Sequence, residues 1–220
     1  MKGIVVSVEY GDLLAETLPH VPFEKVLVVT SHEDEETVKV AKRNGAEVFQ
    51  TNAFYRDGAM FNKGLALEEG FDVLGRDGWI VVFDADIIMP EKMDLTGIKP
   101  SCLYSPRRRT CHNVSDWKRQ EDWSQFPLVR DQEHAGYFQL FNASDPALMA
   151  KPWYGVEWRH AGGCDSEFNQ KWPIQHKHWL PFEVLHLGPD GQNWCGRATK
   201  RLDGTMPKDA HNRKMQLIHM

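Results

Sequence analysis

The five residues from Trp79 to Phe83 (WIVVF) are all apolar, and the carboxylates Asp84 and Asp86 follow them directly. A strand that is apolar on both faces needs cover on both faces, which is typical of a central strand in a largely parallel sheet. Parallel neighbours require crossover connections, which are mostly helical and right-handed. The run therefore predicts an α/β protein built around an open sheet with helices on both sides.

The first hundred residues alternate strand and helix signals, as such an architecture requires. Strand-like runs span 2–8, 25–30, 46–50 and 79–83, and helical patterns pass through Leu13, Leu14 and Leu18 and span 35–44 and 61–74. Gly45 stands where a glycine would end the second of these helices. Because ligands bind beyond the carboxyl ends of the strands in open sheets, the residues after Val8, Thr30 and Phe83 are predicted to surround one crevice.

The second half of the chain is less regular. Strands are expected at 102–105, 137–142 and 183–187, and a helix at 165–172. A chain of 220 residues fits one domain. We predict that this domain spans residues 1–192, with halves at about 1–100 and 101–192, and that the polar residues 193–220 form a tail or a lid.

Composition excludes several classes of function. The chain is 41% hydrophobic and 26% charged, with a net charge of −5, which is typical of a globular protein and argues against nucleic acid as the main partner. No apolar stretch approaches the roughly 20 residues of a membrane span. Since no signal peptide precedes the first strand, we expect a cytoplasmic protein with free thiols. The basic run Arg107-Arg108-Arg109 is either a solvated loop or an anion-binding patch.

The carboxylate pair after the apolar strand is the strongest chemical signal. Asp84 and Asp86 lie where a strand breaks into a loop, so their side chains can converge although they are two residues apart. Carboxylates at the carboxyl end of a central strand suit Mg²⁺ or Mn²⁺ that bridges substrate phosphates. An ordinary acidic turn is the alternative.

Three further groups of residues carry candidate chemistry. Asp165 and Glu167 follow a pair of glycines and open a predicted helix, where a carboxylate suits a general base; helix capping is the alternative for Asp165. His186 lies in a strand-like run that ends in a glycine turn, and is either a third metal ligand or a core histidine. Lys63, at the start of a predicted helix, is a candidate contact for substrate phosphates or a solvated lysine.

The stretches FNKGLALEEGF, WIVVFDADIIMP, GGCDSEFNQKW and VLHLG, in this order, resemble motifs of the GT-A-fold glycosyltransferases. The pattern is most similar to the β1,4-galactosyltransferase type, with some likeness to the broader family 2 enzymes. The resemblance touches residues from about 2 to 188. It implies a GT-A fold, which is a Rossmann-like open mixed sheet flanked by helices in a single domain. It also implies transfer of a sugar from a nucleotide-sugar donor to a carbohydrate or other hydroxyl acceptor.

The resemblance also implies roles for individual residues. Phe61 and Lys63 match a donor-binding element of the family. Asp86 matches the metal ligand, and Asp84 matches the carboxylate that faces the donor's ribose or sugar beside the Mn²⁺ or Mg²⁺ ion. His186 matches a late histidine ligand of that ion.

On the acceptor side, Asp165 matches the acid that deprotonates the acceptor hydroxyl in inverting members, which predicts inversion, with Glu167 in a supporting role. Glu183 stands where the galactosyltransferase pattern has a methionine ligand. Two departures are visible: Cys164 replaces an acidic residue before the base, and Thr30-Ser31 replaces an aspartate pair that reads the nucleotide base. UDP is therefore the default nucleotide.

Two rival functions share these features. A nucleotidyltransferase of the sugar-nucleotide type also binds a nucleotide and a metal on an α/β sheet, but no glycine-rich loop with a lysine follows the first strand. A non-catalytic carbohydrate-binding protein on a transferase fold is the other rival. Aromatic residues of the second half are either sugar platforms or core, namely Trp153, Tyr154, Trp158, Trp172 and Trp179.

Overall fold

One mixed sheet of eight strands organises the part of the chain that the computed structural model describes, which is residues 1–119, 122–129, 133–189, 191–208 and 210. The strands are β1 (Lys2–Val6), β2 (Lys25–Thr30), β3 (Glu47–Gln50), β4 (Trp79–Asp84), β5 (Ile87–Ile88), β6 (Leu103–Cys111), β7 (Phe138–Asn142) and β8 (Lys177–Leu187). The helices are α1 (Gly11–Thr17), α2 (Glu35–Arg43), α3 (Lys63–Leu74), α4 (Val114–Trp117) and α5 (Cys164–Asn169). The open α/β sheet flanked by helices is confirmed.

The strand order is β3-β2-β1-β4-β7-β6-β8-β5. The four strands of the first half run parallel to one another, whereas β7 is antiparallel to both β4 and β6. The short strand β5 pairs antiparallel with β8 at the edge. Every strand predicted in the first half is present, and β5 is an addition that the sequence did not indicate.

Both faces of β4 are covered, as its apolar sequence predicted. Ile80 and Val82 join one buried cluster, while Val81 and Phe83 join a second cluster on the opposite face. This division follows from the two-residue period of a strand, which sends successive side chains to opposite sides of the sheet. Burying each such side chain contributes about 1.5–3 kcal/mol, so β4 is anchored firmly and its carboxyl end is held in place.

Local capping sets the ends of the helices next to the crevice. The Asn62 side chain accepts a hydrogen bond from the backbone N–H of Leu65 at 2.9 Å, so α3 begins at Lys63 rather than at Phe61. The Asp34 side chain caps α2 by accepting from the Thr37 N–H at 3.0 Å. Gly45, with φ of 75°, follows the end of α2 as predicted.

The arginine run lies on β6, so the interpretation as a solvated loop is wrong. Arg109 forms an ion pair with Glu183 of the neighbouring strand β8. Arg108 lies over the Tyr137 ring, with 4.8 Å from its guanidinium carbon to the ring centroid. Alternation along the strand therefore sends the arginines to different faces of the sheet.

Residues 193–202 pack onto the domain beside α1. Arg197 has 1% of its surface exposed and forms an ion pair with Asp12 through both of its terminal nitrogens. The same guanidinium donates to the backbone oxygens of Glu9 at 2.8 Å and Lys200 at 3.0 Å. These contacts hold this part of 193–220 against the domain, and its assignment as a tail or a lid stays a prediction; residue 209 and residues 211–220 lie outside the described residues.

We expect Arg197→Ala to lower the free energy of unfolding by about 3–5 kcal/mol, because it leaves the Asp12 carboxylate half-buried without its partner. Lys39→Ala is the matched control, since its ion pair with Glu35 on α2 is exposed and should contribute less than about 1 kcal/mol. Urea unfolding of both variants measures the difference. Equal, small losses would show that Arg197 does not fasten this segment.

No helix within the described ranges combines the length and the apolar character that crossing a bilayer requires.

Candidate active site

A crevice of about 650 Å³ opens at the carboxyl ends of β1 and β4, which is the edge where open α/β sheets bind ligands. Of the seven predicted site residues, six line it. They are Phe61, Lys63, Asp84, Asp86, Asp165 and His186. These residues come from four separate segments of the chain, and the tertiary fold brings them together.

The two carboxylates after the apolar strand have different partners. Asp84 ends β4 and accepts a hydrogen bond from the Lys63 ammonium at 2.5 Å. Asp86 lies in the turn between β4 and β5, and its Oδ2 is 3.5 Å from Nε2 of His186. The β5–β8 pairing creates the second contact, because it aligns Ile87 with His186.

These contacts set the charge state of the pair. Burial raises the pKa of Asp84, and repulsion from Asp86 adds to this while Lys63 opposes it. Burial also acts on Asp86, but attraction to His186, hydrogen bonds to the carboxylate and attraction to Lys63 together lower the pKa of Asp86. Burial opposes the charge of Lys63, but the carboxylates of Asp84 and Asp165 and the hydrogen bond to Asp84 raise the pKa of Lys63, so it remains a cation.

Asp86 and His186 fit the requirements of a divalent cation. Asp86 Oδ1 is buried and accepts no hydrogen bond from any described residue, so it is left for a ligand outside the protein. A carboxylate and an imidazole suit Mn²⁺, and a site with few protein ligands suits an ion that takes its remaining ligands from phosphates and water. Within the described ranges no group of three or more His, Cys, Asp or Glu side chains is arranged around a common metal position.

Asp84 is paired with Lys63. Of the three predicted metal ligands, only Asp86 and His186 contact each other, and Asp84 lies beside them. Asp84 as a third ligand stays a prediction. The interpretation of Lys63 as a solvated lysine is wrong, because the side chain is buried against Asp84. If Lys63 contacts substrate phosphates as predicted, its ammonium group has to donate hydrogen bonds both to them and to Asp84.

Asp165 is held in place at the N-terminus of α5. Its Oδ2 accepts from the Gly136 N–H at 2.8 Å and its Oδ1 accepts from the Ser166 N–H at 2.9 Å. The N-cap of α5 is Gly163, with φ of 108°, so Asp165 is not the N-cap residue, although its Oδ1 satisfies the first-turn N–H of Ser166. A Cβ on Gly136 would lie 2.5 Å from Asp165 Oδ2, so only glycine lets the backbone approach this carboxylate so closely.

The structure does not bring Glu167 into the crevice with Asp165. Glu167 accepts a hydrogen bond from the Trp158 indole N–H at 2.7 Å and packs against Gly155. Two residues along a helix correspond to about 200° of rotation, so the carboxylates point in different directions. Trp158 does line the crevice, so Glu167 is connected to the site through its hydrogen bond with Trp158.

Glu183 lies away from the metal pair. It lies three positions before His186 on β8, and this odd offset sends the two side chains to opposite faces of the sheet. Glu183 instead forms its ion pair with Arg109, which removes it as an alternative to His186.

The aromatic residues of the second half divide into core and crevice. Trp153, Tyr154 and Trp172 are buried in the cluster around α3, so their interpretation as sugar platforms is wrong. Trp179 stacks on His134 outside the crevice, with ring centroids 4.3 Å apart. Trp158 is the one member of the predicted set in the crevice lining.

Sequence reasoning missed several residues of this lining. Tyr10 lies between the carboxylates and Arg197, whose guanidinium carbon is 4.8 Å from the ring centroid. Burial and the nearby Asp86 raise the pKa of Tyr10, so it stays a neutral phenol. Its position after the first strand was a usable signal, since the residues after Val8 were expected in the crevice. Trp194 comes from the polar C-terminal segment, where no local pattern marked it.

A second cavity, of about 760 Å³, follows β1 and β2 on the side away from Asp165. Its lining includes Glu9, Ser31, Asp34, Asn52 and Tyr55. Asp34 Oδ2 accepts from the Glu9 N–H at 2.5 Å, which ties the two strand ends together. The sequence has Thr30-Ser31 in place of the aspartate pair that reads the base. In the structure Asp34, a few residues further along the chain, lies in this cavity.

No protein-family model matches the chain. No curated protein matches it in sequence. Solved structures are similar in fold. GalNAc-T7, solved with UDP, GalNAc and Mn²⁺, has a TM-score of 0.54 at 11% identity over 100% of this chain and 48% of its own. Glucosyl-3-phosphoglycerate synthase from Mycobacterium tuberculosis has a TM-score of 0.50 at 15% identity over 99% of this chain and 77% of its own.

The chain has the GT-A fold. An inositol-1-phosphate CTP transferase from T. maritima is similar as well, with a TM-score of 0.50 at 9% identity over 98% of this chain and 95% of its own. At such identities the likeness shows the fold, which different transfer reactions share. The narrower resemblance to the β1,4-galactosyltransferase type is not confirmed. The type of reaction therefore has to be inferred from the residues of the crevice.

Proposed function

We propose that this protein is a metal-dependent glycosyltransferase that moves a sugar from a nucleotide-sugar donor to an acceptor hydroxyl with inversion. The observation that carries the proposal is the placement of Asp165 in the same crevice as Asp86 and His186, with the Lys63 cation paired to Asp84 there. This arrangement offers a base for an acceptor and opposite charges for a diphosphate. The UDP, GalNAc and Mn²⁺ of the GalNAc-T7 structure are in keeping with it.

The donor occupies the two neighbouring cavities in this proposal. The nucleoside lies beyond β1 and β2, near Asp34 and Tyr55, and the diphosphate reaches toward Asp86. Asp86 and His186 are the residues that would hold Mn²⁺ or Mg²⁺, and a bound ion neutralises charge on the leaving diphosphate. Lys63 holds the Asp84 side chain beside the donor sugar, where Asp84 accepts hydrogen bonds from the sugar's hydroxyls.

Asp165 acts as the general base. The Gly136 and Ser166 N–H groups fix its carboxylate, which takes the proton of the acceptor hydroxyl while that oxygen bonds to the anomeric carbon. The bond from this carbon to the phosphate oxygen breaks as the new bond forms, and the nucleoside diphosphate leaves. Because one base faces one leaving group, the displacement is direct and inverts the anomeric configuration.

The second candidate is the nucleotidyltransferase, which the similarity to the CTP transferase favours at the level of fold. The loop after β1 runs Ser7-Val8-Glu9-Tyr10 and offers neither the glycines nor the lysine that would cradle a triphosphate. A base placed as Asp165 is also needed for an acceptor hydroxyl rather than for a phosphate nucleophile. Both observations favour sugar transfer.

The test is the product formed from a donor. The protein is incubated with UDP-sugars and, separately, GDP-sugars, with Mn²⁺ and a panel of carbohydrate acceptors. Release of nucleoside diphosphate that depends on acceptor supports the glycosyltransferase. Pyrophosphate formation from a nucleoside triphosphate and a sugar phosphate would establish the nucleotidyltransferase instead. If neither product forms, the protein is a non-catalytic carbohydrate-binding protein.

We expect His186→Gln to weaken Mn²⁺-dependent UDP binding by at least about tenfold, because even supporting groups around a metal are worth 10–100-fold in affinity. His178→Gln on the same strand β8 is the control, since His178 contacts Tyr104 and does not line the crevice. Isothermal titration with and without Mn²⁺ measures both. If His186→Gln binds as the wild type does, His186 is a core histidine and not a ligand.

A further inference from the structure

Trp194 is an exposed indole inside the crevice. Its side chain is 48% exposed, although it lines the same crevice as Asp165 and Asp86. A tryptophan usually covers such an apolar surface with its neighbours or with a ligand. Here the ring is exposed within the same crevice that Asp165 lines.

The backbone that carries Trp194 is fixed. Its carbonyl oxygen accepts from the Ala161 N–H at 2.7 Å, immediately before the glycine pair. The Asn193 side chain accepts from the Ala198 N–H at 2.8 Å and closes the turn that follows. Arg197 then fastens this turn to Asp12. The backbone that presents the indole is therefore already ordered, which lowers the entropy cost of binding a ligand against this segment.

The ring also lies beside the glycine pair that precedes the base. A Cβ on Gly162 would be 3.4 Å from Cδ2 of Trp194, and a Cβ on Gly163 would be 2.5 Å from Cζ3 of Trp158. The two indoles thus flank the glycine pair that leads into Asp165. A six-membered ring that presents a hydroxyl to Asp165 has an aromatic face beside it.

The charges of the crevice favour an uncharged acceptor. Its carboxylates are Asp84, Asp86 and Asp165, and its lysine and arginine side chains in the described residues are Lys63 and Arg108. Lys63 is held by Asp84 and Arg108 lies over the Tyr137 ring, and the donor's diphosphate already brings negative charge to this place. A further anionic group beside Asp165 would be repelled. The apolar C–H face of a pyranose, in contrast, matches the face of an indole.

We propose that Trp194 is the acceptor platform of this protein, and that the acceptor is an uncharged pyranose ring that stacks on it and presents a hydroxyl to Asp165. This inference rests on the proposed function, which it extends by naming the class of acceptor and a residue that recognises it. A phosphorylated acid, such as the acceptor in structures of similar fold, is the competing acceptor.

The experiment compares Trp194→Leu, Trp194→Phe and Trp179→Leu. Trp179 is a matched control because it is 37% exposed and lies outside the crevice. Acceptors are uncharged methyl glycosides of hexoses and N-acetylhexosamines, with 3-phosphoglycerate as the anionic probe. Release of nucleoside diphosphate is measured as a function of acceptor and, separately, of donor concentration.

For Trp194→Leu we expect the KM of the best methyl glycoside to rise about tenfold, the upper range for an aromatic contact, while the KM of the donor changes less than twofold. Trp194→Phe keeps a flat ring and should recover most of the loss, and Trp179→Leu should behave as the wild type. Equal acceptor KM in Trp194→Leu and wild type overturns the platform. Wild-type transfer to 3-phosphoglycerate but to no methyl glycoside overturns the acceptor class and leaves the glycosyltransferase intact. No acceptor-dependent release by the wild type with any donor overturns both.

Discussion

Turnover of the Asp165→Asn variant is expected to fall by about 10²–10⁴-fold, which is the usual cost of removing a general base. Asparagine keeps the shape of the side chain, and its amide oxygen can still accept the hydrogen bond that Gly136 N–H donates. The protein should therefore fold normally and bind donor with near wild-type affinity. Initial rates of nucleoside diphosphate release, with donor binding measured by calorimetry on the same sample, separate the loss of chemistry from a loss of binding.

Glu167→Gln is the matched comparison, because it removes a carboxylate from the same helix α5. Its partner is Trp158, and an amide oxygen can still accept from the indole N–H, so we expect activity within a fewfold of wild type. Should Glu167→Gln abolish transfer while Asp165→Asn keeps most of it, the two roles are exchanged. Full activity in both variants would disprove the inverting mechanism.

The second large effect is expected at Asp86. Asp86→Ala removes a carboxylate with a buried oxygen left for a ligand, and should abolish the part of UDP affinity that depends on Mn²⁺. The loss should equal or exceed the 10–100-fold typical of weaker perturbations around a metal. Calorimetric titration of UDP with Mn²⁺ and with EDTA measures it, because the variant should bind equally under both conditions.

Asp84→Asn is the companion variant. Asp84 is paired with Lys63 rather than with His186, so this change should weaken donor binding both with Mn²⁺ and with EDTA. A selective loss of the Mn²⁺-dependent part would instead make Asp84 a metal ligand. Repeating the titrations with GDP tests the choice of nucleotide, since Asp34 and its neighbours, not the metal pair, line the cavity proposed for the base.

Much of the donor half follows from local patterns. The apolar run of β4 predicted a strand covered on both faces, and both faces are buried. The bounds of β2 agree with the predicted run, and Gly45 ends α2 as expected. These features depend on side-chain periodicity and on capping, which act within a few residues. The position of Asp84 and Asp86 at the carboxyl end of β4 follows from the same short-range rules.

The acceptor side was less accessible to such rules. The sequence offered helix capping as an alternative for Asp165; in the structure Gly163 is the N-cap, while Asp165 accepts from the Ser166 N–H in the first turn. Glu167 resembles Asp165 in sequence, yet the turn of α5 directs it to Trp158 and out of the crevice. The arginines of β6 were predicted to lie in a loop or a basic patch, because the sequence alone did not show that they lie on a strand. Pairing with β8 places them on a strand, where successive side chains alternate between the two faces of the sheet.

By itself, the sequence determined the class of fold, the central strand and the placement of a carboxylate pair at its end, because apolar periodicity and capping are encoded by neighbouring residues. Only the tertiary structure decided that His186 and not Glu183 meets Asp86, since the β5–β8 pairing joins segments about a hundred residues apart and its register sets which face each side chain takes. It likewise brought Trp194 from a polar segment to the crevice and paired Arg197 of the same segment with Asp12 of α1. Such contacts leave no local pattern, because the partner of each residue lies far away along the chain.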